Sequence, residues 1–339
     1  MDPEEGETVE NPSSQDIDRD ALTSAIANLV LEEGALDEIA QLLVRILPAY
    51  VKKPYFNKYF SLWEEHGFHL TPVYFAQPIP DTRNLTRDLW DEKPEVVGID
   101  WNEIVQTNFL HNVFPAYQED YNHFPIEPTD CPYEFHLKNG SFEGTDAMVL
   151  YCMVRHFRPN LIIEVGSGFS TRVSAKAALL NGNTRLISIE PYPDAVMAEG
   201  FPGLTDLIRK SVQEISLDFF AELNAGDILF IDSTHVVKCG GDVNYLFLEV
   251  LPRLKPGVLV HVHDIFLPHE FPRRWMLEDH LFYTEQYLLQ AFLAFNSEFE
   301  ILFANNYMGS KYPEEMKGTF PESQWLGGGS FWMRRKLTH

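Results

Sequence analysis

The sequence predicts an α/β fold built on a doubly wound, mostly parallel sheet, with a helical extension ahead of it. Three observations point there. From residue 143 onward, short apolar runs alternate with helical stretches, the pattern of parallel strands covered on both faces. The first of those runs leads through a loop with two glycines, Glu164-Val165-Gly166-Ser167-Gly168, into a helix. The chain has 339 residues, 45% of them hydrophobic and 22% charged, which suits about two domains and a large buried core.

Taken in order, residues 1–20 hold eight acids and one base, Arg19, without apolar periodicity, and predict a disordered acidic tail. Residues 21–142 read as a helical and loop-rich accessory segment. Leu36, Ile39, Leu42, Leu43 and Ile46 share one helical face, and Tyr55, Phe56, Tyr59, Phe60 and Trp63 form an aromatic stripe at the same spacing. Pro72, Pro78 and Pro80 mark 66–97 as loop, 99–117 is helical with Ile104, Phe109 and Val113 inward, and 119–141 is irregular. The main domain spans 143–339. It opens on a helix at 145–157 with Thr145 as its N-cap. Strands are predicted at 161–165, 185–190, 206–210, 227–232, 257–263 and 298–303. Helical stretches at 171–181, 216–224, 241–254 and 283–295 separate most of them. Gly327-Gly328-Gly329 predicts a turn into one more strand at Phe331-Trp332-Met333.

Fifty acidic against 26 basic side chains give a net charge of −24. That balance argues against nucleic-acid or membrane partners, which require clustered Lys and Arg. Cys131, Cys152 and Cys239 form no CxxC or CxH pair, so neither a zinc knuckle nor a disulfide framework is expected, in keeping with a reducing cytoplasm. No signal-peptide pattern and no apolar run of 18 residues is read. The expected partner is a small molecule, with a homo-oligomer left open.

The loop at 164–171 is the strongest signal. Glycines let a backbone pass close to a ligand, and free amides at a helix start can hold its polar groups. Glu190 ends the next strand, 26 residues after Glu164, where a carboxylate can accept hydrogen bonds from both ribose hydroxyls. A dinucleotide loop requires a third glycine, yet that position is Thr171. Glu164 would also repel a pyrophosphate, whereas it suits the ammonium of S-adenosylmethionine (SAM).

These residues, with Ile189-Glu190-Pro191, Phe230-Ile231-Asp232-Ser233-Thr234-His235 and the run 254–264, resemble class I SAM-dependent methyltransferases. They are most similar to bacterial enzymes that methylate oxygen on sugars and other small natural products. The resemblance implies a Rossmann-like seven-stranded sheet whose last strand is antiparallel, and an N-terminal segment that covers the acceptor. It places Gly166 and Gly168 under the methionine part of SAM. Glu164 falls on the amino end, Ser170 near the carboxylate, and Glu190 on the ribose. Val212 and Gln213 border adenine, although Ser211 stands where many relatives have Asp. Asp232 lies beside the methyl donor.

Asp232, His235, His263 and Asp264 follow two strands that are neighbours in such a sheet, and are the candidate catalytic residues. A hydroxyl acceptor must lose a proton, which a neutral histidine accepts near pH 7; His235 is the expected base. The alternative is Mg²⁺ or another divalent cation on Asp232, His263 and Asp264. His261 is expected to be a hydrogen-bonded core residue, Asp242 to cap a helix, and Tyr283 to serve packing. Rival functions are a nicotinamide-dependent oxidoreductase, a non-catalytic module on a nucleotide fold, and metal-dependent hydroxylation or hydrolysis.

Overall fold

A computed structural model describes residues 35–50, 59–91, 95–323 and 326–337. The expected acidic tail, Tyr55, Phe56 and Trp325 lie outside the described residues. The chain divides into two compact units, Met1–Asp81 and Thr82–His339. In the first, helices span α1 (Ala35–Tyr50) and α2 (Phe60–Glu65). Among the described residues no helix is long and apolar enough to cross a membrane.

The second unit is built on a seven-stranded sheet: β1 (Leu161–Val165), β2 (Arg185–Ile189), β3 (Asp206–Ile208), β4 (Ile228–Ile231), β5 (Leu259–Val262), β6 (Phe299–Ala304) and β7 (Phe331–Arg335). The strand order is β3-β2-β1-β4-β5-β7-β6. Strands β1 to β5 pair in parallel, and β7 runs antiparallel to both β5 and β6. This is the expected Rossmann-like sheet with its antiparallel last strand. The central strands β1, β4 and β5 are buried along their whole length, as a sheet covered on both faces requires. At the amino end, Asp227 Oδ1 accepts hydrogen bonds from the backbone N–H groups of Asn160 and Leu161, both at 2.9 Å, fixing β1 against β4.

The second unit also takes in residues 82–142 of the segment read from the sequence as 21–142. Phe109, Phe114, Tyr121, Phe124, Phe135 and Phe142 are buried in the same hydrophobic core as the sheet. Phe114 packs edge-to-face on Phe303 of β6 at 4.9 Å. A helical stripe reveals that a face is buried but not what buries it. The predicted helix at 99–117 is also not regular. Residues α3 (Glu103–Asn108) give way to a wider turn at 109–113 and a tighter one at 114–117, where Pro115 lacks the amide a continuing helix needs.

Helix α4 (Gly144–Phe157) begins one residue early. Thr145 is not its N-cap; its hydroxyl donates to the Gly327 carbonyl. Asp146 in the first turn accepts from the N–H groups of Gly329 and Ser330, both at 2.9 Å, and from Asn305 Nδ2 at 2.7 Å. A side chain at Gly328, where φ is +102°, would collide with that carboxylate. The glycine turn thus comes close to α4, and Gly329 packs on Asp264 at the end of β5.

Candidate active site

In open α/β sheets, ligands bind at the carboxyl ends of the strands, where the strand order reverses direction. Here that point lies between β1 and β4. A cavity of about 270 Å³ opens there, lined among others by Gly166, Glu190, Val212, Gln213, Asp232 and Asp242. Gly166 sits at φ +88° with no space for a Cβ against the Asp232 carbonyl. Asp232 N donates to Val165 O at 2.9 Å, and Gly166 N donates to Ile189 O at 3.0 Å, so the loop is held between β2 and β4. Gly168 differs: nothing lies within 4 Å of a Cβ built there, and its N–H donates to Thr171 Oγ1 at the start of α5 (Phe169–Asn181).

Glu164 is completely buried. One carboxylate oxygen accepts from Ser170 Oγ at 2.6 Å; the other has no hydrogen-bond partner. Burial pushes its pKa up to about 8 against the opposing pull of the Ser170 hydroxyl. Ser170, expected near a ligand carboxylate, is here a partner of Glu164. Glu190 faces the cavity and accepts from Tyr192 N at 2.7 Å. Gln213 donates from Nε2 to Gly240 O at 3.1 Å. Asp242 does more than begin its helix, α6 (Asp242–Tyr245): it accepts from both the N–H and the hydroxyl of Thr234, at 2.8 and 2.7 Å.

Beside the cavity, the expected group of four comes together. His235 Nε2 lies 3.2 Å from Asp232 Oδ1 and 3.4 Å from Asp264 Oδ2. His263 Nε2 lies 3.5 Å from Asp264 Oδ1. His235 and Asp264 both adopt left-handed backbone, at φ +59° and +57°, which is uncommon away from glycine. On its other nitrogen, His235 Nδ1 meets Glu285 Oε2 at 2.9 Å. Glu285 opens α7 (Glu285–Leu293), is 1% exposed, and also accepts from Ser233 Oγ at 3.2 Å. The Tyr283 ring stands 4.7 Å from the His235 ring.

Three carboxylates around one imidazole decide its charge. Burial disfavours the His235 cation, but hydrogen bonds to Asp232 and Glu285 and their charges push its pKa up to about 11. That direction favours the protonated ring over the neutral base expected of His235. Burial works against the Asp232 charge, yet the His263 and His235 cations outweigh it and hold the carboxyl below its usual range. Asp264 and Glu285 are raised, mainly by burial. His263 is raised because Asp264, Asp232 and Asp146 outweigh its burial.

The expected metal set fits less well. Among the described residues no group of three or more His, Cys, Asp or Glu is arranged to hold a metal ion. The His235 Nε2 atom already lies between Asp232 and Asp264, at 3.2 and 3.4 Å. His261 is a core residue as expected, stacked on Phe230 at 4.0 Å and bonded through Nε2 to Ser330 Oγ at 3.0 Å.

Glu285 and Asp146 were not singled out from the sequence. Glu285 sits 50 residues beyond its partner in an apolar helical stretch, and Asp146 looks like an ordinary first-turn acid. An acid at a helix start beside an otherwise apolar face was the only signal available.

Residues 163–265 match a family model described as a methyltransferase domain. The chain is 33% identical over 176 residues to an uncharacterized protein of Archaeoglobus fulgidus, spanning 48% of this chain and 77% of that one. Among solved structures it is similar to the O-methyltransferase TomG of Streptomyces achromogenes, in complex with SAM, at 16% identity, covering 70% of this chain and 97% of that one with a TM-score of 0.35. It is also similar to an O-methyltransferase of Bacillus cereus in complex with SAH, at 13% identity, covering 70% and 98% with a TM-score of 0.35. The domain match runs from β1 to the end of β5, across both the glycine loop and the acid and histidine group, so residues 163–265 form a methyltransferase domain.

Proposed function

We propose that this chain moves a methyl group from SAM to a hydroxyl of a small molecule, a sugar-containing compound or secondary metabolite. The observation behind this reading is the cavity at the β1/β4 reversal, floored by a glycine without space for a Cβ and edged by Glu190. The residues suit SAM. Glu164 brings a buried carboxylate oxygen without a partner for the ammonium, and Gly166 lets the backbone approach. Glu190 accepts from the ribose hydroxyls, and Val212 and Gln213 border adenine. SAM supplies an already activated methyl on a sulfonium, so the protein's tasks are alignment and proton removal.

For proton removal the reading assigns Asp264. Its carboxyl is raised, and a base nearer neutrality is the better acceptor. His235, charged and held between Asp232 and Asp264, aligns the carboxylates and keeps negative charge at the mouth in balance. No step is routed through a metal. The fate of a labelled methyl group tests the reading. With labelled SAM and fractionated metabolites, label should move to a small molecule on an oxygen, without loss on chelation. Label that stays with SAM, or NADH binding in place of S-adenosylhomocysteine (SAH), would favour the rival readings.

A further inference from the structure

We infer that Glu285 is a positioning residue, which fixes the His235 ring so that Nε2 faces Asp232 and Asp264. The inference deepens the methyltransferase reading and rests on it for its effect on turnover. An imidazole has two distinct nitrogens, and the partner of one determines what the other presents. Here Glu285 takes Nδ1 at 2.9 Å, leaving Nε2 to the two aspartates. The grip is not confined to the ring. Thr284 N and Glu285 N both donate to the His235 carbonyl, at 2.8 and 3.0 Å. Val237 N donates to Thr284 Oγ1 at 2.7 Å, and Ser233 Oγ donates to the second Glu285 oxygen at 3.2 Å. The start of α7 thus holds residues 233–237 by backbone and side chain, and the left-handed backbone of His235 is enclosed by these bonds.

Anchoring the helix does not call for a carboxylate. Leu289 and Leu293 bury its inner face, and Gln286 ties it to the preceding segment through Phe266 N and His269 O. Glu285 does not line the cavity at Glu190. What an acid adds at this position is a charged acceptor for one ring nitrogen.

The test is Glu285→Gln, which keeps the shape and removes the charge. Turnover of the wild-type acceptor fraction should fall about 10- to 100-fold, the usual range for loss of a partner that orients a functional side chain. SAH affinity by calorimetry should stay within about twofold, because the cavity residues are untouched. In a double-mutant cycle, Glu285→Gln should add nothing to His235→Asn, since the two act as a unit. Glu285→Asp, which retains the charge, should recover part of the rate and serves as the decisive variant if the glutamine form does not fold. A second readout needs no acceptor: nitrogen-15 NMR should show a hydrogen-bonded His235 Nδ1–H that is lost or shifted in Glu285→Gln. Unchanged turnover, additive losses, an unaltered ring resonance, or a loss of SAH binding in step with turnover would each overturn the assignment. A wild-type protein that transfers no methyl would remove the methyltransferase reading, while the ring resonance would still decide what holds His235.

Discussion

Replacing Glu164 with Gln removes the buried carboxylate that the proposal places against the SAM ammonium. In the free protein, burial pushes Glu164 up to about 8, so at neutral pH it is mostly protonated. The ammonium of SAH, beside its own carboxylate, stays protonated through this range. The ion pair needs Glu164 ionised, so below the pKa of Glu164 binding must release a proton. Affinity for SAH is therefore expected to rise by about 50-fold from pH 6 to pH 8, from the ionised fraction of Glu164 alone. Calorimetry in buffers of different ionisation enthalpy reads the proton directly, and close to one should be released at pH 6. In Glu164→Gln the carboxylate contribution to this pH dependence should vanish. Affinity near pH 8 should fall by roughly 10- to 150-fold, the loss of a hydrogen bond to a charged group. The same burial lowers folding stability as pH rises from about 4.5 towards 8, because the folded state retains a proton that the unfolded chain releases. A wild-type affinity that is flat between pH 6 and 8, or a Gln variant with the wild-type profile and affinity, would refute the reasoning.

Gly166→Ala places a Cβ against the Asp232 carbonyl at a left-handed position, and should cost at least about 2 kcal/mol of stability or abolish SAH binding; thermal unfolding and calorimetry check it, and wild-type values for both would contradict the tight turn. Asp264→Asn should reduce turnover by about 10²- to 10⁴-fold, the range for a positioned base, with SAH affinity retained; a turnover close to wild type would exclude Asp264 as the base. Phe114→Ala should destabilise the sheet-bearing unit by about 3–5 kcal/mol, because the ring is fully buried against Phe303. Denaturant unfolding reads this, and a loss below about 1 kcal/mol would show that residues 82–142 lie outside the core.

The parts of the site that are close together in sequence were the readable ones. A buried strand, a turn that needs glycine and a helix start are each local, so the run 164–171 and the acid at 190 announce the crevice. The strands at 228–231 and 259–262 were likewise visible from short apolar runs, slightly longer in expectation than in structure. The charge on His235 was not readable. It depends on three carboxylates at positions 232, 264 and 285, brought together only by the sheet order and by α7. A residue type alone suggests a neutral base, whereas the assembled carboxylates push the imidazole pKa up. The irregular turns at 109–117 and the burial of Phe109 and Phe114 against the sheet were hidden for a related reason: helical periodicity reports a buried face without naming what covers it.

The account stands most directly on where the nucleoside lies. A crystal structure of the SAH complex should show the ribose hydroxyls on Glu190, the amino group near Glu164 and the methionine part passing over Gly166. Density for SAH elsewhere, or a crevice that stays closed by side chains under saturating SAH, would contradict it.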